Sequence, residues 1–253
     1  MENEIRIRAF RATDDYETCQ RFCEGHKKVL ENHGIHSVSS SYNDWAFRSS
    51  VFVVVVESLD RKRLFGGARI HVADGINTLP IEEATWSMDP KISSVVNRYA
   101  YNGTGELCGL WNSVEVAGYG IGSIFSIRAA TVIAQQIGIE SLLFLCSPVT
   151  LRFNKWIGSK VITEIGNNGT FYYPKLDLLA TAVILEDAID LKNAHPTERN
   201  RIMTLRKDLS GVKNETSPFK NLMMNVHYDL QLSGVDEKEF KQITYKDLNL
   251  QAV

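Results

Sequence analysis

The chain opens with apolar and polar positions in alternation. Ile5 to Phe10 sets Ile5 and Ile7 against Arg6 and Arg8, which predicts a strand. Thr13 is placed to cap a helix running from Asp14 to about Asn32 and closing at Gly34. A polar stretch, Ser37 to Asp44, precedes an unbroken apolar run, Val51 to Val56, read as a buried strand over Val51–Glu57. The turn Asp60–Arg63 joins it to a second strand, Leu64 to Val72, giving a hairpin. From Asp74 to Gly105 the pattern is loop-like, with one helical candidate around Lys91–Tyr99. So long an excursion inside a domain predicts a lid or binding segment.

The middle of the chain carries the strongest pattern. Glu106 to Ser113 reads as a strand, Gly118 to Gly122 as a glycine loop, and Ser123 to Ile137 as a helix ended by Gly138. Ser141 to Cys146 is a short, wholly apolar strand of the kind covered on both faces. A helix from Thr150 to Ile157 stops at Gly158, and strands follow near Val161–Ile165 and Leu178–Leu185. Beyond Asp190 the composition changes to Lys, Asn, Glu and Thr, then to short apolar runs mixed with charge. Residues 1–190 are therefore expected to form one domain with an insertion at 74–105. Residues 191–253 are expected to form a C-terminal extension packed on that domain or on a partner.

Composition narrows the function classes. With 44% apolar and 23% charged residues, the chain is neither disordered nor fibrous in character. A formal net charge of -2 argues against a nucleic-acid partner. The longest apolar run is far too short to span a bilayer, and the first ten residues lack the apolar core of a secretory signal, so a cytoplasmic protein is expected. Cys19, Cys23, Cys108 and Cys146 have no metal-ligand spacing, which points to free thiols and no metal.

A glycine loop between a strand and a helix gathers backbone N–H groups at the positive end of the helix dipole, an arrangement that binds phosphate. Gly118, Gly120 and Gly122 meet that description. They do not meet the dinucleotide fingerprint, because the spacing differs and the loop falls mid-chain, although Glu140 lies near the distance of the ribose-binding acid. No Gly-Lys-Ser/Thr follows, so the nucleotide P-loop fails as well.

Glu106 to Gly122 (ELCGLWNSVEVAGYGIG) resembles the fourth strand and pyrophosphate loop of the GNAT acyltransferases. Their loop pattern, Arg/Gln-x-x-Gly-x-Gly/Ala, is met from Ala117 to Gly122 except at its first position. Arg152 to Gly158 resembles that family's helix ending in Tyr-x-x-x-Gly-Phe. Gly66 to Ile70 (GGARI), the excursion containing Leu79-Pro80, and Glu106-Leu107 resemble the acyl-homoserine-lactone and N-acyl amino acid synthase branch. The second arginine of that branch is replaced by Gly109. The resemblance implies an α/β (α+β) fold: a mixed, mostly antiparallel twisted sheet, splayed between its fourth and fifth strands, with helices on both faces.

It also implies an N-acyltransferase using acetyl-CoA, a longer acyl-CoA or an acyl-carrier protein as donor, and a small-molecule primary amine as acceptor. A homodimer is the oligomer considered. Glu106 is the candidate general base, and Ser147 a candidate proton donor or substrate ligand. The resemblance places the donor's pantetheine arm on Leu110, Trp111, Asn112 and Ser113, and its pyrophosphate on Ala117, Gly118, Tyr119, Gly120, Ile121 and Gly122. Asn154 falls where relatives carry a tyrosine general acid beside the donor. Arg69, with His71 two residues on and so on the same strand face, is the candidate acceptor ligand; His71 on its own reads as a surface histidine. Ala117 lacks the loop cation and Asn154 cannot donate a proton as tyrosine does. The alternative is therefore a thioester-binding or sensory relative without turnover.

Overall fold

Val51–Glu57 has no polar side to turn to solvent, and it forms a strand, β2, near the middle of the sheet with both faces covered. The computed structural model describes residues 4–35 and 43–244. Residues 37–42 of the polar stretch and 245–253 of the C-terminal segment lie outside the described residues. Before β2 come β1 (Glu4–Arg11) and α1 (Tyr16–Asn32). The helix is capped by Asp15 and not Thr13. Its carboxylate accepts the Thr18 N–H at 3.0 Å and is held by Arg8 Nη1 at 2.9 Å, while Arg8 Nε reaches the buried Glu57 at 3.1 Å. That ion-paired carboxylate outbids a lone hydroxyl as the start of the helix.

β3 (Leu64–Val72) completes the hairpin with β2. The excursion is more regular than its pattern predicts: α2 (Pro80–Thr85) and α3 (Lys91–Ala100) occupy it. α2 is only six residues long and begins on a proline, too short for periodicity to show. Then follow β4 (Thr104–Asn112), α4 (Ile121–Ile137), β5 (Ser141–Cys146) and α5 (Pro148–Trp156). The expected strand over Val161–Ile165 shrinks to β6 (Lys160–Val161), and β7 (Thr170–Tyr172) pairs with β8 (Leu179–Leu185).

The C-terminal segment contributes α6 (Pro196–Lys207), β9 (Ser210–Thr216) and β10 (Met223–Asp229). The sheet runs β6-β8-β5-β4-β3-β2-β1-β10-β9, with two parallel pairs, β1·β10 and β4·β5, and antiparallel pairing elsewhere. Helices cover both faces. Phe125 and Val132 of α4 share one buried cluster with Ile7, Val54 and Ile70, while Phe22 of α1 and Trp45 share another with Val53 and Val55 on the other face. The C-terminal elements are fastened to α4 by a buried ion cluster: Arg128 Nη2 meets Glu198 of α6 at 3.1 Å, and Arg128 Nη1 lies 3.6 Å from Glu215 of β9.

Candidate active site

β4 and β5 run side by side only briefly. Their ladder joins Thr104, Gly105 and Glu106 to Ser141, Leu142 and Leu143 and then stops, although both strands continue. Past Glu106 they part, and the opening holds a cavity of about 200 Å³ lined by Leu107, Leu110, Phe144, Cys146 and Asn154, with His26 of α1 on one side. β4 also carries a bulge here. Arg69 opposes Cys108 and Gly67 opposes Trp111, so two steps on β3 match three on β4. Gly109, at φ 59°, makes the turn; a Cβ there would come within 2.9 Å of Arg69 Nε and Nη2. The guanidinium of Arg69 thus packs against the bare backbone of Gly109, so no longer side chain fits there.

Glu106 stands at the last paired rung and lines the cavity. It is 2% exposed, and its Oε2 accepts the Ile81 N–H of α2 at 2.6 Å. Burial pushes its carboxyl up to about 8, with Glu82 and Glu83 adding to the rise, while the Ile81 hydrogen bond and the charge of Arg69 pull the other way. Because β3 and β4 are antiparallel, His71 opposes Glu106 and Arg69 opposes Cys108, which sets all four on one face. Arg69 lies 4.2 Å above the Trp45 ring and 5.4 Å from that of Phe22. His71 is buried, not on the surface as its sequence position implied, because both faces of β3 are covered. Its Nε2 and the Trp45 Nε1 have no hydrogen-bond partner among the described residues, and burial holds its imidazole well below the usual range, hence neutral.

Asn154 is buried on α5 and donates through Nδ2 to Cys146 Sγ and the Thr150 carbonyl, both at 3.1 Å. Its Oδ1 meets no donor among the described residues. The Cys146 thiol is pushed up to about 12 by burial, which makes it a poor nucleophile. Ser147 caps α5, accepting the Thr150 N–H at 3.4 Å, and is exposed outside the residues lining the cavity. Of the four tryptophans, Trp45 and Trp111 are buried, whereas Trp86 and Trp156 are exposed, Trp156 stacking on His195.

At the far end of β4, Gly120 is left-handed at φ 75° and begins α4. The first N–H groups of α4 have no carbonyl within the helix to bond, so they are offered to a ligand. A Cβ on Gly122 would meet Asn112 Oδ1 at 2.5 Å and the Trp111 carbonyl at 2.9 Å, so only glycine lets the helix start this close to β4. Leu110 to Ser113 therefore lie between the opening and this loop. Ala117 and Gly118 are exposed, and Ile121 is buried in the core.

Sequence reasoning missed one cation. The turn between β9 and β10 folds onto the glycine loop: Phe219 and Pro218 lie about 3 Å from where a Cβ on Gly120 would stand, and Lys220 Nζ sits 4.2 Å above the Tyr119 ring. A chain separation of about a hundred residues hid this, since it follows from the parallel pairing of β10 with β1. Lys220 brings a positive charge to the loop whose own first position is alanine.

No protein-family model matches the sequence, and no curated protein matches it. Solved structures do match in shape. FeeM, an N-acyl amino acid synthase from uncultured soil microbes, superposes with a TM-score of 0.57 at 15% identity, over 78% of this chain and 97% of its own. MesI, a CoA-dependent acyl-homoserine lactone synthase, does so with a TM-score of 0.50 at 15% identity, over 82% of this chain and 96% of its own. At such identity the likeness is one of architecture, and the chain has the GNAT-type acyltransferase fold in the form seen in these two synthases.

Proposed function

We propose that the protein is an N-acyltransferase that receives an acyl thioester in the opening between β4 and β5 and passes the acyl group to a primary amine. The observation that carries this reading is the placement of Glu106 at the apex of that opening, with a carboxyl poised near pH 8. An amine nucleophile must be neutral, and the ionised fraction of such a carboxyl, which grows as pH rises through 8, accepts its proton. The amine nitrogen bonds to the thioester carbon, the carbon–sulfur bond breaks, and the proton lost from nitrogen is returned to the thiolate through Glu106 or water. Asn154 supplies no proton; its amide oxygen is an acceptor for a pantetheine N–H.

Leu30, Ile35, Leu107, Leu110, Phe144 and Leu145 make most of the cavity wall apolar, which favours an acyl chain longer than acetyl. Arg69 and His71, the expected acceptor ligands, are buried outside the residues lining the cavity, so Arg69 shapes it from behind by packing its guanidinium on Gly109 of the wall. α2, from the 74–105 excursion, and the β9–β10 turn complete the two ends of the site. A free-thiol release assay with acyl-CoA donors and a panel of amines and amino acids tests the reading. Acylated amine formed in step with thiol supports it. Thioester binding without turnover across the panel and with carrier-protein donors would favour a sensory relative.

Lys220 gives a separate prediction. Lys220→Ala should raise the KM for acyl-CoA about fivefold to tenfold, about 1 kcal/mol of charge-assisted contact, with kcat unchanged. An unchanged KM would remove Lys220 from donor binding.

A further inference from the structure

A second cavity, of about 350 Å³, lies on the α1 face of the sheet and shares no lining residue with the β4–β5 opening. α1 supplies Arg21, Gly25 and Lys28, the β2–β3 turn supplies Lys62, and the end of β4 supplies Trp111 with Ser113 just beyond it. Arg21 Nη2, Trp111 Nε1 and Ser113 Oγ are all buried and without a hydrogen-bond partner among the described residues. Buried donors are nearly always satisfied in folded proteins, so three unsatisfied ones around a single cavity point to an absent acceptor. The indole is fixed in place. Trp111 is 4% exposed, packs edge-on to Phe22 at 5.8 Å, and lies so close under α1 that a Cβ on Gly25 would stand 2.3 Å from its ring.

The charge around the cavity favours an anion. Arg21, Lys28 and Lys62 face two carboxylates, Glu24 and Glu115, and Glu115 is engaged by Arg63 at 3.4 Å. The residues bearing a guanidinium, an indole, a hydroxyl and two ammonium groups line the cavity from three different elements. A planar carboxylate presents two oxygens in one plane, whereas a phosphate presents three in three directions and matches that spread. The volume leaves room for more than the phosphate alone. We propose that this cavity is a binding site for a phosphate monoester, its phosphate held by Arg21, Lys62, Trp111 Nε1 and Ser113 Oγ. The site stands independently of the acyl-transfer reading. The phosphate belongs either to the nucleotide end of a CoA donor or to a separate phosphorylated ligand.

The test follows the Trp111 indole N–H by nitrogen-edited NMR, assigned with Trp111→Phe, while inorganic phosphate, CoA or 3′-dephospho-CoA is added at constant ionic strength. Saturable movement of that resonance by inorganic phosphate, weakened at least tenfold by Arg21→Met and by Lys62→Met but not by Lys220→Ala, is the expected result. If CoA moves it and dephospho-CoA does not, the donor's monoester is the occupant. If phosphate moves it and neither coenzyme form does, the ligand is a separate phosphorylated molecule. A resonance that phosphate leaves in place, or that moves equally in the Arg21 and Lys62 variants, overturns the proposal. Failure here leaves thiol release in the acyl-transfer assay untouched, so the two readings fail separately.

Discussion

Glu106→Gln should lower acyl transfer by at least about a hundredfold while making the protein more stable at pH 8. The stability half follows from the sign of the shift. The Glu106 carboxyl is raised from 4.5 to about 8, chiefly by burial, so the folded state holds a proton that the unfolded state releases. The stability this protonated group contributes is fully present below pH 4.5. It declines as pH rises towards 8, by about 1.4 kcal/mol per pH unit. Glutamine has no proton to lose and keeps an oxygen for the Ile81 N–H. The variant and the parent should therefore unfold alike near pH 4.5 and differ by about 4 kcal/mol at pH 8. In the parent, kcat/KM should climb with pH, reach half its limit near 8 and level off above that. A buried carboxylate without a catalytic role would show the stability difference with no loss of rate, which makes denaturant unfolding and turnover on the same two proteins a discriminating pair.

The second large effect concerns the C-terminal segment. Arg128 is 1% exposed and Glu198 2%, and they meet through two hydrogen bonds, with Glu215 beyond. Arg128→Met removes the buried cation of the cluster and, among the described residues, leaves Glu198 only the exposed Arg201 at 3.7 Å, which should cost about 3–5 kcal/mol. Changing Glu198→Leu as well should restore most of that loss, because a well-packed apolar pair is about as stable as a buried ion pair. Glu198 belongs to α6 and Glu215 to β9, so hydrogen exchange should quicken first in those elements. The β9–β10 turn carries Lys220, so acyl-CoA should also bind Arg128→Met more weakly, in the direction of Lys220→Ala. A loss under 1 kcal/mol in urea unfolding would mean that the cluster does not anchor the segment.

The sequence carries the frame of this fold and conceals its joints. The apolar runs of β2 and β5 and the glycine-bounded helix α4 are legible because each is continuous along the chain and answers to one physical cause, burial on both faces or a helix cap. The β4 bulge is not. In ELCGLWN nothing marks Gly109 as left-handed until Arg69, forty residues earlier, is seen to fill its place. β9 is polar at nearly every position, an edge strand with little to bury, so hydrophobic pattern has no purchase on it. Glu106 was readable as a carboxylate at a strand; its burial and its hydrogen bond to α2 depend on a helix too short to predict. Lys220 shows the same limit, since its place beside Tyr119 is set by strand order and not by any local signal.

In the proposed donor complex an acyl thioester lies between β4 and β5 with its phosphates on the glycine loop. Hydrogen–deuterium exchange with a non-reacting acyl-CoA thioether tests it directly. Exchange should slow at Leu110–Ser113 and at Gly118–Gly122, with Lys220→Ala weakening both effects together. A ligand that binds and protects neither stretch would contradict it.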